Sequence, residues 1–284
     1  MKSILYRSGM QILQFFWYLK GGRKITVFGK SIHVSPYTIF PNHRRLKLPK
    51  GGCTSEIVRY TDFVQMHATC NYVSQLQAQP VIIDIGAHHG AYAIVIGKLV
   101  ERWGGKVIAI EPNPLSWAVL VENIRLNGLE NIVTCEQIAI SDKSGYMNVE
   151  LLDSESRLSS VQSHRSCTVK VMTLEEVLKK YAINHVDLMI IDVEGAELPV
   201  LRSFPWQSVG IQRIFCELHP YAWRSFYYTG EDMKQFLSEH NYRCFDMYLR
   251  EHKTFTDEAY LGPTLFVSSN LTETATKGDG GPSL

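Results

Sequence analysis

The chain has 284 residues, of which 45% are hydrophobic, 11% aromatic and 20% charged, enough apolar content for one sizeable soluble core. Its 29 basic and 28 acidic residues leave a formal net charge of +1, which argues against electrostatic capture of nucleic acid. The six cysteines (Cys53, Cys70, Cys135, Cys167, Cys216, Cys244) form no Cys-x-x-Cys pair and no Cys/His cluster at zinc spacing. That pattern argues against structural zinc and suits reduced thiols in a cytoplasmic protein.

Residues 1–24 are rich in aromatic and aliphatic side chains but are interrupted by Arg7, Gln11 and Gln14. Their longest charge-free stretch, 8–19, is too short to span a bilayer. A helix packed on its own domain, or on a second subunit of a homo-oligomer, is expected here. The alternative is an interfacial helix with Lys20, Arg23 and Lys24 toward lipid head groups, which would make the protein membrane-associated. Residues 25–34 read as a hairpin turning at Gly29-Lys30, residues 35–55 as a loop, and 61–77 as a helix with Phe63, Met66, Ala68, Tyr72, Val73 and Leu76 on its apolar side. Together, 1–79 form an N-terminal extension.

From Val81 the texture changes to short apolar runs alternating with amphipathic stretches. Strands are expected near 81–85, 106–111, 132–138, 186–191, 211–217, 243–249 and 263–268, with helices at 90–102, 114–127, 174–182, 195–204 and 231–240. Continuous apolar strands separated by helices predict an α/β fold, a doubly wound, mostly parallel seven-stranded sheet covered on both faces. The last two strands have only a polar stretch between them and should pair antiparallel. Residues 145–173 read as an inserted pair of strands around a serine-rich loop. The domain therefore runs over 80–269, and 270–284 is a polar tail expected to be disordered.

The first strand runs into Asp84-Ile85-Gly86-Ala87-His88-His89-Gly90. A dinucleotide-binding turn needs Gly-x-Gly-x-x-Gly; aligned on Gly86, its first glycine becomes Asp84 and its third His89. A carboxylate at Asp84 would repel a pyrophosphate but suits a ligand with a cationic amino-acid end. S-adenosylmethionine (SAM), with an ammonium and a sulfonium, is such a ligand. Glu111, 25 residues after Gly86 at the end of the second strand, is placed to accept hydrogen bonds from ribose hydroxyls. Asn113 is placed for the ribose or adenine edge, and Gln137 and Ile138, closing the third strand, for the border of the adenine.

Seven segments carry a family resemblance: DIGAHHG (84–90), EPNP (111–114), NIRLNG (123–128), AISDKSG (139–145), MTLEEV (172–177), IIDVEGAELPVLR (190–202) and CELHP (216–220). Together they resemble the FkbM-type SAM-dependent methyltransferases of the Rossmann-like class, over about 80–268. The resemblance implies methylation of a hydroxyl on a sugar, glycolipid or secondary metabolite. It also implies a donor site at Asp84, Gly86, His88, Gly90, Glu111 and Asp192; His88 stands where the family usually carries Asn.

Asp84, Glu111, Asp192 and Glu217 each close a parallel strand and should line one rim. Asp192, Glu194 and His219 are the candidate bases for the acceptor hydroxyl. Asp192 and Glu194, with no further Asp or Asn nearby, make a thin cation site, so the primary reading includes no metal. A metal-assisted O-methyltransferase and a non-catalytic SAM-binding module remain the alternatives. The aromatic segment 219–230 is either a wall for the acceptor or a packed lid.

Overall fold

A computed structural model describes residues 64–76, 78–151, 156–159, 166–246, 249–256 and 261–269, together with the backbone of 23–27 and 30–34. Residues 1–22 of the expected N-terminal helix, the loop at 35–55 and the tail at 270–284 lie outside the described residues, whereas Arg23 and Lys24, expected at the end of that helix, belong to a strand. No helix among those described is long and apolar enough to cross a membrane.

The hairpin forms from β1 (Arg23–Val27) and β2 (Lys30–Val34). Val27 pairs with Lys30, so Lys30 is a strand residue rather than the expected turn residue. The first described helix, α1 (Val64–Gln75), buries Met66, Cys70, Tyr72 and Val73 in the same cluster as Ile82 and Val95. It thus belongs to one packed unit with the domain, although the sequence placed it in the extension.

The main sheet has seven strands: β3 (Val81–Ile85), β4 (Lys106–Ile110), β5 (Val133–Glu136), β10 (Val186–Ile191), β11 (Ile211–Leu218), β12 (Tyr242–Asp246) and β13 (Gly262–Ser268). Their order is β12-β13-β11-β10-β3-β4-β5. The five strands from β11 to β5 run parallel, and β13 lies antiparallel between β11 and β12. The expected α/β doubly wound sheet, with its antiparallel pair at one edge, is present. Parallel strands must be covered on both faces, and alternate residues of β3 show it. Ile82 packs with α1, α2 (Ala91–Val100) and α3 (Pro114–Leu126), while Ile83 and Ile85 pack on the opposite face with α4 (Leu174–Lys180), α5 (Glu197–Arg202) and α7 (Gly230–Glu239).

Local chemistry starts these helices where the sequence puts them. Asn113 caps α3, accepting from the Leu115 N–H at 2.8 Å, with Pro114 in the first turn. Thr173 with Glu176, and Thr229 with Asp232, form capping boxes on α4 and α7. The helix expected from 195 begins at Glu197, because Glu194 and Gly195 have φ of 51° and 109°, outside helical backbone.

The insertion differs from expectation. Rather than a pair, 145–173 contributes three strands, β7 (Gly145–Leu151), β8 (Ser156–Ser159) and β9 (Ser166–Met172). With the short β6 (Ala139–Ile140) they form a separate sheet in the order β6-β9-β7-β8. A serine-rich stretch that lacks apolar alternation carries no strand signal in the sequence. As an edge strand, β8 is specified by its backbone pairing with β7, which a hydrophobic pattern cannot reveal.

Candidate active site

The glycine turn is built by close backbone approach. Gly86 has φ of 83°, and a Cβ there would lie 1.7 Å from the carbonyl oxygen of Asp192. No side chain fits, and the turn after β3 lies directly on the end of β10. The N–H groups of Gly86 and Ala87 both donate to the Ile110 carbonyl, at 2.9 and 3.0 Å. Gly90, at φ 88°, caps α2, and a Cβ there would lie 2.6 Å from Leu120 Cδ1. His88 adopts φ 48° and stacks on His89 with ring centroids 3.7 Å apart.

Glu111 clamps this turn to the next helix. Its carboxylate accepts from the His88 N–H and the Asn113 N–H, each at 2.8 Å. Burial pushes the Glu111 carboxyl up, against the His88 charge and those two N–H donors. Asp84 is 2% exposed, and its Oδ2 is buried without a hydrogen-bond partner among the described residues. Burial raises its pKa to about 7; a bond from the Ala93 N–H opposes the rise and the nearby Glu111 charge adds to it. A buried carboxyl oxygen left in this state favours a cationic ligand. The orphaned Asp84 oxygen, the paired glycines and the acid on the neighbouring strand therefore fit the SAM expected from the sequence.

Among the other residues expected at the donor, Asn113 commits its Oδ1 to the α3 cap. Gln137 is exposed just past β5, and Ile138 is buried in the core cluster shared with Ile140 and Leu174.

Beyond Gly86, the end of β10 meets the end of β11. Asp192 N–H donates to the Ile85 carbonyl at 2.9 Å, fixing the chain as it leaves the sheet. Four groups then face His219. Its Nδ1 lies 2.8 Å from Glu197 Oε1. Its Nε2 lies 3.7 Å from Glu194 Oε2, 3.9 Å from Glu217 Oε1 and 4.0 Å from Asp192 Oδ1. Burial, mutual repulsion with Glu217, and the other acids raise the Asp192 carboxyl well above its usual range, with His219 opposing. For His219, burial alone would lower the pKa, but the Glu197 bond and charge, with Asp192 and Glu194, bring it to about 9. The surrounding carboxylates thus favour the protonated imidazole, which weakens His219 as a free base.

The three candidate bases, Asp192, Glu194 and His219, thus lie together. Glu197, not among the candidate site residues read from the sequence, is the centre of the arrangement. It is fully buried and accepts from Gly195 N–H (3.0 Å), Trp223 Nε1 (2.8 Å) and Tyr228 Oη (2.9 Å), besides holding His219. The available signal was an acid inside an apolar helical run, Ala196-Glu197-Leu198-Pro199-Val200-Leu201.

The aromatic segment divides between the two roles considered for it. Trp223 and Tyr228 are buried and stacked, with centroids 5.3 Å apart. Tyr221 and Tyr227 are exposed, and Tyr221 Oη donates to Glu194 Oε2 at 3.0 Å. The short helix α6 (Pro220–Trp223) crosses Gly195 so closely that a Cβ there would lie 2.5 Å from Ala222 Cβ. Gly195→Ala, at φ 109°, should destabilise the protein by roughly 1–3 kcal/mol. A thermal unfolding midpoint equal to wild type would show that α6 is not packed this tightly.

Residues 84–244, more than half of the chain and containing both halves of this site, match the family described as the methyltransferase FkbM domain. The chain belongs to the FkbM methyltransferase family. The matched segment is therefore a methyltransferase domain. A methyltransferase from Sordaria araneosa, sdnD, is 25% identical over 167 residues, covering 47% of this chain and 64% of that protein. The chain thus spans less than two thirds of that relative's length. Among solved structures, a methyltransferase FkbM from Methylobacillus flagellatus is 13% identical with a TM-score of 0.42, covering 74% of this chain and 52% of that one. A SAM-dependent O-methyltransferase from Thermotoga maritima is 14% identical with a TM-score of 0.40, covering 86% and 76%. The fold assignment rests on the strand order described above.

Proposed function

We propose that this FkbM-family protein transfers a methyl group from SAM to a hydroxyl of a sugar, glycolipid or other hydroxylated small molecule. The contact of Gly86 with the Asp192 carbonyl carries this reading, because it sets the expected donor turn directly beside a rim of carboxylates. Asp84, Gly86, Gly90 and Glu111 would hold the donor, with His88, Asn113, Gln137 and Ile138 around it. SAM supplies a methyl on sulfonium, already a good leaving group. What remains for the protein is to hold the acceptor oxygen and receive its proton. The partly exposed carboxylates of Asp192, Glu194 and Glu217 would take that proton. The exposed rings of Tyr221 and Tyr227 offer faces for sugar C–H surfaces.

The test is calorimetric titration with SAM, S-adenosylhomocysteine and NADH, followed by transfer of labelled methyl to a panel of saccharides and glycolipids. Dissociation constants on the order of micromolar for the first two, none for NADH, and label in a hydroxyl acceptor are expected. A folded sample that ignores SAM would sink the donor assignment. SAM binding without transfer to any acceptor would leave a binding module.

A further inference from the structure

We propose that Asp192, Glu194 and His219 bind a divalent cation of the first transition row beside the donor turn. Each offers one ligand atom, and the three atoms lie within 4.8 Å of one another. From His219 Nε2 the spacings to Glu194 and Asp192 are 3.7 and 4.0 Å, longer than hydrogen bonds. Ligands each about 2.1 Å from one cation lie roughly 3.0–3.4 Å apart in octahedral (cis) or tetrahedral geometry, so side-chain shifts on the order of an ångström close the site.

Acid clusters are common without ions; the buried histidine sets this one apart. His219 is 3% exposed, and its Nδ1 is held by the fully buried Glu197, which is itself fixed by Gly195, Trp223 and Tyr228. That anchor turns Nε2 toward the rim carboxylates. A metal-ligating histidine is typically oriented in this way, by a carboxylate on its other nitrogen. Glu217 Oε1, 3.9 Å from Nε2, adds a further negative charge at the site. One imidazole with two carboxylates suits Mn²⁺, Fe²⁺ or Zn²⁺ better than an all-oxygen Mg²⁺ or Ca²⁺ site.

The cation's role rests on the methyl-transfer reading; its binding does not. The side chains of Asp192 and Glu194 are 29% and 21% exposed, so the site is open to solvent on one side, where an acceptor could enter. A hydroxyl oxygen coordinated there would be acidified, and its proton would pass to Glu217 or to solvent.

The experiment is titration of the chelator-treated protein with Mn²⁺, followed by electron paramagnetic resonance. One Mn²⁺ per chain is expected, with imidazole-nitrogen coupling in the spin-echo modulation of the wild type. Glu194→Gln should weaken binding at least tenfold, and His219→Gln should remove the nitrogen coupling; SAM affinity serves as the folding control. Lack of stoichiometric binding, absence of the nitrogen coupling, or Mn²⁺ affinity unchanged in Glu194→Gln would each overturn the site. Mn²⁺ binding with no methyl transfer to any acceptor would refute the transferase reading and leave the cation site standing. Transfer by chelated protein that binds no Mn²⁺ would do the reverse.

Discussion

Asp84→Asn is expected to abolish SAM binding and, at pH 8, to make the ligand-free protein more stable than the wild type. Asp84 is buried, its Oδ2 has no hydrogen-bond partner among the described residues, and burial is the main cause that lifts its pKa from 3.8 to about 7. The folded chain therefore holds this proton more tightly than the unfolded chain does. The resulting stability is fully present below about pH 3.8 and is lost as the pH rises through about 7. A shift of about three units is worth ~4 kcal/mol as a ceiling. Asparagine has the same shape, keeps an acceptor for the Ala93 N–H and carries no charge, so its advantage should grow from pH 4 to pH 8. Denaturant midpoints at the two pH values measure it. On the ligand side, the ionised carboxylate is what attracts an ammonium, so wild-type affinity for SAM should fall below about pH 7. Wild-type SAM affinity in Asp84→Asn would remove Asp84 from the donor site. Equal stabilities at both pH values would show that Asp84 carries no buried charge.

The first half of the site was legible because its signals are local. Asp84, Gly86 and Gly90 lie within seven residues, and the strand before them was placed at 81–85, matching β3 (Val81–Ile85). The β10 strand (Val186–Ile191) was equally clear, since a parallel central strand reads as an unbroken apolar run. The acceptor half is different in kind. Glu197 and His219 are 22 residues apart and meet only because β10 and β11 pair in parallel, with Ile191 opposite Cys216. Nothing in the spacing of the acids reports that register. Without it, Asp192 and Glu194 looked like two carboxylates lacking a third ligand. Asn113 shows that one residue can carry two local signals: beside its expected place near the donor, its side chain serves as a helix cap, which Asn-Pro at a helix start already announces.

Glu197→Ala is expected to be among the most damaging single changes in the domain, costing about 3–5 kcal/mol. The carboxylate accepts from four donors belonging to Gly195, His219, Trp223 and Tyr228, and it is fully buried. Alanine leaves those donors in a space that water does not reach from the surface, and each unmade bond carries a desolvation cost. Tyr228 keeps one recourse, since its hydroxyl also lies 2.9 Å from the Gly195 carbonyl; the Trp223 indole and Gly195 N–H lose the acceptor that holds them. Glu194, 21% exposed and three residues earlier in the chain, provides the contrast: Glu194→Gln should have a stability within about 0.5 kcal/mol of wild type while impairing transfer. Glu197→Gln, which retains two acceptor lone pairs but turns an NH₂ toward other donors, should fall between the two. Thermal unfolding and SAM binding, measured on all three, separate the roles. A stable Glu197→Ala with normal transfer would mean that His219 needs no anchor. Loss of stability graded from Gln to Ala, with SAM affinity intact wherever the protein is folded, would identify Glu197 as the positioning residue that fixes His219 at the rim.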